Sequence, residues 1–238
     1  MSTTQADINL KKHIVRTLLY YDIFNYPLKS NEVFQFLGTN SISEPDVHYA
    51  LNSLVDEFVV FRFEDFYCLQ PTESIVHRRK KGNHAAEGFY PLATKKAAFI
   101  ATFPFVRGVL ASGSLAKGYM DEKSDLDFFI ITAPGRLWIA RTLLVAYKRL
   151  LLSNSHKYFC VNYFVDEDHL EIEEKNLFTA TEVATAMPMY GAQYYKRFMT
   201  VNPWVKGFFP NYKPRSTEKV PEYRNEEPKR IVEGLLSG

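Results

Sequence analysis

The chain has 238 residues, 46% hydrophobic and 24% charged, enough apolar material for one large domain or two small ones and too much for a chain disordered at large. Lys and Arg number 29 against 27 Asp and Glu, so the net charge of +2 excludes a surface built as a whole to hold nucleic acid. Cys68 and Cys160 both lie in apolar, strand-like runs with no metal-ligand spacing, which reads as buried free thiols in a reducing compartment.

Met1 to Lys12 is polar, and the apolar stretch after it is broken by Tyr20, Tyr21 and Asp22. No run approaches the ~20 apolar residues of a membrane span, so the expectation is a cytoplasmic protein with no signal peptide and no membrane partner.

Residues 1–72 read as one module. Ile14, Leu18, Leu19 and Ile23 fall at helical spacing and Pro27 breaks that helix; Val33, Phe34 and Leu37 mark a second, ending at Gly38. A third begins at Ser43, capped by its own hydroxyl with Asp46 reaching back and Pro45 in the first turn, and carries Val47, Ala50, Leu51, Leu54 and Val55 as its apolar stripe. Phe58 to Phe63 and Phe66 to Leu69, joined across Glu64-Asp65, read as a hairpin. Three helices and a hairpin make a winged-helix-like module. Such modules bind DNA through the third helix, but between Ser43 and Phe58 there is no Lys or Arg, and Glu44, Asp46, Asp56 and Glu57 are acidic. That sign opposes phosphate, which argues for a scaffold or protein-contact role rather than DNA binding.

Residues 73–92 form a basic helical connector holding His77-Arg78-Arg79-Lys80-Lys81. Its ordinary reading is a solvated face; its sharper one is that Arg78 or Lys81 reaches an anionic substrate, with Lys95 and Lys96 as weaker candidates.

Residues 93–200 carry the chemistry. Val106 to Ala111 reads as a buried strand, which places Gly113 and Ser114 at a strand-to-helix turn. A glycine there lets backbone N–H groups approach phosphate oxygens; the serine hydroxyl adds a donor and Lys117 a charge. Then comes Ser124-Asp125-Leu126-Asp127, running into apolar Phe128 to Thr132. On a strand, Asp125 and Asp127 project to one face while Leu126 and Phe128 face the core. Paired carboxylates repel, and a hard cation such as Mg²⁺ relieves them.

In the later strand, Tyr158 to Asp166, the best-placed polar residue is Asn162, an amide that can offer oxygen to a metal but cannot serve as a base. Asp166 lies four residues on, about 13 Å away at the usual rise. Glu171 is the other acid considered for a third carboxylate. Arg136 to Leu152 reads as a core helix and Thr179 to Met187 as another, with Glu182 a possible acceptor-site carboxylate. Residues 201–238 are a Pro-rich segment and tail, which Trp204, Phe208 and Phe209 would pin to the body.

Gly-Ser, a glycine four residues after the serine, then Ser-Asp-x-Asp is a pattern matched here by Ser114, Gly118, Ser124, Asp125 and Asp127. In it the chain resembles the nucleotidyltransferase superfamily of DNA polymerase beta, in particular its small bacterial members. The resemblance covers about residues 93 to 190. It implies a minimal mixed-sheet nucleotidyltransferase domain behind the winged-helix-like module, an α+β protein overall. It also implies Mg²⁺-dependent transfer of a nucleoside monophosphate from a triphosphate, ATP by expectation, to a hydroxyl on a small molecule, RNA end or protein, with release of pyrophosphate. Carried over, Gly113, Ser114, Lys117, Gly118 and Ser124 bind the nucleotide and Asp125 and Asp127 hold two Mg²⁺ ions. Asn162 stands where the third, catalytic carboxylate would be. That amide keeps a second reading open, a catalytically weak nucleotide-binding regulator acting through the N-terminal module on a protein partner.

Overall fold

The structure is a computed structural model that describes residues 5–40, 42–152, 157–224 and 226–237; Met1 to Thr4 of the polar N-terminal stretch lie outside the described residues. The chain is α+β and divides into two units, Met1–Lys81 with Trp204–Lys213, and Gly82–Pro203 with Pro214–Gly238.

The first unit contains α1 (Gln5–Asp22), β1 (Leu28–Lys29), α2 (Ser30–Gln35), α3 (Glu44–Asp56), β2 (Phe61–Phe63) and β3 (Phe66–Cys68). Its strands pair antiparallel in the order β1-β3-β2, so the expected hairpin gains a short third strand. The buried stripe of α1 is Leu10, Ile14, Thr17, Leu18 and Tyr21. Leu19 and Ile23, expected in that stripe, are 52% and 72% exposed. Leu19 lies off the stripe and Ile23 lies beyond the last helical residue, Asp22. The cap of α3 is as expected: Ser43 Oγ accepts from the Asp46 N–H, and Asp46 Oδ2 accepts from the Ser43 N–H at 2.9 Å.

The basic run is not simply a solvated face. Arg79 is only 4% exposed and donates Nη2 and Nη1 to Glu32 at 2.6 and 3.2 Å, with Nη1 also on the Pro27 carbonyl and the guanidinium 3.7 Å from the Tyr26 ring centroid. Lys80 pairs with Glu64 and Arg78 donates to the Phe24 carbonyl. These cations hold the first unit together, because a planar guanidinium can meet a carboxylate, a carbonyl and a ring at once.

The run lies on α4 (Ser74–Ala101), a 28-residue helix that includes Pro91. The boundary expected between 92 and 93 falls inside it. Ala86, Ala93, Ala97 and Ile100 are buried at three-, four- and seven-residue steps across that point, and Pro91 sits on an exposed face. The division between units falls earlier in the same helix, between Lys81 and Gly82.

The second unit continues with β4 (Val106–Ser112), α5 (Gly113–Ala116), β5 (Asp127–Thr132), α6 (Leu137–Leu151), β6 (Cys160–Asp166), α7 (Leu177–Thr185), β7 (Met187–Tyr190) and α8 (Ala192–Val201). The sheet is mixed, in the order β6-β5-β4-β7, with β5 parallel to β6 and the other pairs antiparallel. Phe128 and Ile130 of β5 pack into a core with Ala93, Ala97 and Ile100 of α4 and Ala140 and Leu144 of α6. On the opposite face Phe129 meets the Tyr163 and Phe198 rings. The helix expected over 179–187 instead ends at Thr185, and Met187 opens an edge strand on β4, where Pro188 is tolerated.

After α8, α9 (Val205–Phe208) belongs to the first unit, where the Phe209 ring lies 5.4 Å from that of Phe36. The expected tail is not loop throughout. Pro228 occupies the first turn of α10 (Glu227–Leu235), where its missing N–H costs nothing. Glu233 of that helix is buried and accepts from the Phe105 N–H at 2.6 Å and from both Arg107 Nη atoms at 2.8 Å.

Candidate functional site

The strand pairing gathers the expected residues at one end of the second sheet. Ser112, the last residue of β4, stands opposite Asp127, the first of β5, and Asp127 stands opposite Cys160, the first of β6. The turn after β4 therefore lies beside the Asp-x-Asp segment. Asp125 precedes β5 rather than belonging to it, but Leu126 and Phe128 are fully buried while Asp125 and Asp127 are partly exposed, so the expected alternation holds.

Gly113 has φ +63°, and a Cβ at that position would lie 2.5 Å from Asp127 Oδ2. Both the left-handed backbone and the nearness of the carboxylate demand glycine. Ser114 follows on α5, and Gly118 closes the turn at φ +70° with its carbonyl accepting from Asn83 Nδ2. Ser124 is engaged in its own turn: Oγ donates to Asp121 Oδ1 at 2.9 Å and accepts from the Asp121 N–H at 3.0 Å.

Asn162 reaches the site, donating Nδ2 to Asp127 Oδ1 at 3.2 Å. A register shift brings it there. Phe128 pairs with Val161 and Phe129 with Tyr163, so Asn162 is the extra residue of a bulge. Through that bulge the consecutive residues Asn162 and Tyr163 both face the same cavity. Asp166 is at the far end of β6, opposite Thr132, where it accepts from the N–H groups of Asp168 and His169. Glu171 is paired with Lys175 at 2.6 Å.

The third carboxylate near Asp127 is Glu182 of α7. Its Oε1 is 2.5 Å from Lys117 Nζ, and its Oε2 accepts, at 3.4 Å, from the Gly113 N–H. The sequence offered only a helical glutamate; its arrival at the turn depends on where α7 packs. Arg215 was not foreseen at all. It donates Nη2 to the Ala116 carbonyl at 2.5 Å and Nε to the Thr185 carbonyl at 3.4 Å, joining the C-terminal ends of α5 and α7.

Burial holds the Asp127 carboxyl above the usual carboxylate range, and the negative charges of Asp125 and Glu182 push the same way, opposed by the Cys160 thiol and the Lys117 ammonium. The Cys160 thiol is itself pushed up to about 11, first by burial and then by its hydrogen bond to Asp127. Cys68 and Cys160 are both free and buried.

Among the described residues, no three His, Cys, Asp or Glu side chains are grouped to hold a metal ion by themselves. Mg²⁺ takes one or two carboxylates and completes its shell with water and substrate phosphates, so the hard oxygen donors of Asp125 and Asp127 fit such an ion.

A cavity of about 420 Å³ opens beside the carboxylates, lined by Phe129, Asn162, Tyr163, Phe178, Glu182 and Phe198 among others. Among the described residues no helix is long and apolar enough to cross a membrane. Compared with protein families, with curated proteins and with solved structures, the chain gives no match.

Proposed function

We propose that the second unit is a Mg²⁺-dependent nucleotidyltransferase of the DNA polymerase beta type. It moves a nucleoside monophosphate from a triphosphate, ATP in the first instance, to a hydroxyl acceptor and releases pyrophosphate. The observation that carries the reading is the Gly113 turn against Asp127, with Asp125 two residues before it: a left-handed glycine packed against a carboxyl that burial and neighbouring negative charge hold above the usual range. Gly113, Ser114 and Lys117 hold the outer phosphates, and Gly118 keeps the turn closed. Ser124 shapes the loop that delivers Asp125. Asp125 and Asp127 would hold Mg²⁺, which would neutralise charge on the phosphate oxygens. Asn162 orients Asp127 by its hydrogen bond and takes no proton.

Glu182 occupies the two donors that a phosphate would use, the Gly113 N–H and the Lys117 ammonium. Triphosphate binding exchanges that carboxylate for phosphate oxygens. Glu182→Gln weakens the competing pair and tightens triphosphate binding.

The test is thermal shift with ATP, GTP, CTP and UTP, with and without Mg²⁺, on wild type and on Asp125→Ala/Asp127→Ala. A Mg²⁺-dependent shift lost in the double variant is expected; no shift with any triphosphate overturns the reading.

The Asn162 amide on Asp127 favours a second reading, nucleotide binding with little turnover, reported to a protein partner. Three helices with the β1-β3-β2 sheet support a winged-helix-like first unit for that role, and its acidic α3 argues against DNA. Pyrophosphate release in the presence of acceptors separates the two.

A further inference from the structure

The cavity beside the carboxylates is placed and lined for one class of acceptor. Its walls are aromatic. The Phe129 and Tyr163 rings stack at 5.2 Å between centroids and 17° between planes, and the Phe198 ring lies 5.1 Å from Phe129. Tyr163 is 51% and Phe178 54% exposed, two large aromatic side chains left open on one concavity. At about 420 Å³ the space suits a single small organic molecule.

Charge narrows the choice. Glu174 and Glu182 line the cavity, and among its described lining residues there is no Lys, Arg or His. Lys117 compensates Glu182 and the proposed metal takes Asp127, which leaves Glu174 to set the local sign. A phosphate-bearing acceptor, such as an RNA end, would meet Glu174 with no cation in the lining; a protonated amine would meet a partner.

Position gives the cavity its role. Asn162 lines it and also bonds Asp127, so it opens directly onto the reacting end of the sheet. Ser112 and Glu182 bring one end of the cavity to the Gly113 turn at the end of β4, and Tyr163 of β6 forms the other end, so the cavity runs past Asp127 from the turn to Tyr163. In-line displacement needs the attacking oxygen opposite the departing pyrophosphate. With the outer phosphates on the Gly113 turn, the attacking hydroxyl comes from the Tyr163 end of the cavity.

We propose that this cavity is the acceptor site and that it takes a small molecule with a flat apolar ring system and a basic amine, rather than a nucleic-acid end or any other anion. The proposal rests on nucleotidyl transfer for the acceptor role. In the reaction the acceptor oxygen bonds to the α-phosphorus, the bond to the bridging oxygen breaks, pyrophosphate leaves, and the hydroxyl proton passes to solvent.

The test needs neither nucleotide nor metal. Binding of tryptamine, of indole-3-acetate and of a short oligoribonucleotide to the full chain is measured by ligand-observed NMR. Tryptamine is expected to bind, with indole-3-acetate about fivefold weaker and the oligoribonucleotide not bound. Tyr163→Ala and Phe178→Ala, both checked for an unchanged melting midpoint, weaken tryptamine roughly three- to tenfold, and Glu174→Gln narrows the gap between amine and acetate. Absence of tryptamine binding, equal binding of the acetate, or indifference to the aromatic variants overturns the site. Displacement of tryptamine by adenosine makes the cavity a base pocket and overturns the acceptor role. Tryptamine binding in a protein that shows no Mg²⁺-ATP shift overturns nucleotidyl transfer, and the acceptor role with it, while the amine site itself stands.

Discussion

Arg79 in the first unit and Asp127 in the second are both charged groups withdrawn from water, and their surroundings treat them in opposite ways. Arg79 meets a carboxylate, a carbonyl and an aromatic face, with every contact of favourable sign. Asp127 meets an amide, a thiol and the Lys117 ammonium, but burial and the like charge of Asp125 and Glu182 outweigh them. The first arrangement stabilises a fold. The second stores a cost that a bound cation would relieve, and such stored cost marks a binding or catalytic site more than a structural one.

The largest effect tests the first half of the comparison. Arg79→Ala leaves Glu32 without its partner and is expected to cost about 3–5 kcal/mol in the first unit, read from urea unfolding. Arg79→Met combined with Glu32→Gln recovers most of that loss, because replacing both partners leaves no unpaired charge behind. A cost below ~1 kcal/mol for Arg79→Ala would break the comparison.

Next is the turn. Gly113→Ala forces a Cβ into left-handed backbone and against Asp127, costing roughly 1–2 kcal/mol for the backbone alone and abolishing the Mg²⁺-ATP thermal shift. Gly135→Ala is the control. It has φ +64° with nothing within 4 Å of the added Cβ, so it should show the stability loss with the ligand shift intact.

Asp127→Asn sharpens the second half. The folded-state pKa of Asp127 lies above its unfolded value, so its favourable contribution exists below the unfolded pKa and is lost as pH rises through the folded one. At pH 7 the ionised side chain is a net cost. The variant should melt higher than wild type at pH 7, by up to about 1 kcal/mol after solvent screening, with the gain fading as pH is lowered toward 4. A lower midpoint at pH 7 would show that Asp127 is stabilising as an anion. The smallest effect is Lys80→Ala, which removes a half-exposed pair with Glu64 and should move stability by no more than about 0.5 kcal/mol.

Local chemistry made much of the molecule legible in advance. The Ser43 cap, the strand into Gly113 and the alternation around Leu126 and Phe128 all follow from spacing, because capping, pleat and apolar periodicity are written over a few neighbouring residues. Leu19 is exposed because helical spacing does not say which stripe the core selects, and Ile23 because helix ends are not written in that spacing. The helix over 227–235 was hidden within the Pro-rich segment because proline breaks a helix interior and starts a helix equally well.

The sequence by itself determined the α+β class, the helices and hairpin of the N-terminal stretch, the turn and carboxylate motif, and the amide in the strand after them. Only the tertiary structure decided that a bulge aims both Asn162 and Tyr163 into the cavity, that Glu182 closes on Lys117 and Gly113, that Arg215 joins the ends of α5 and α7, and that Arg79 is interior. The reason is range. Glu182 lies 65 residues from Lys117 and Arg215 lies 99 from Ala116, so each contact depends on where whole helices and strands pack and on no property of the neighbouring residues.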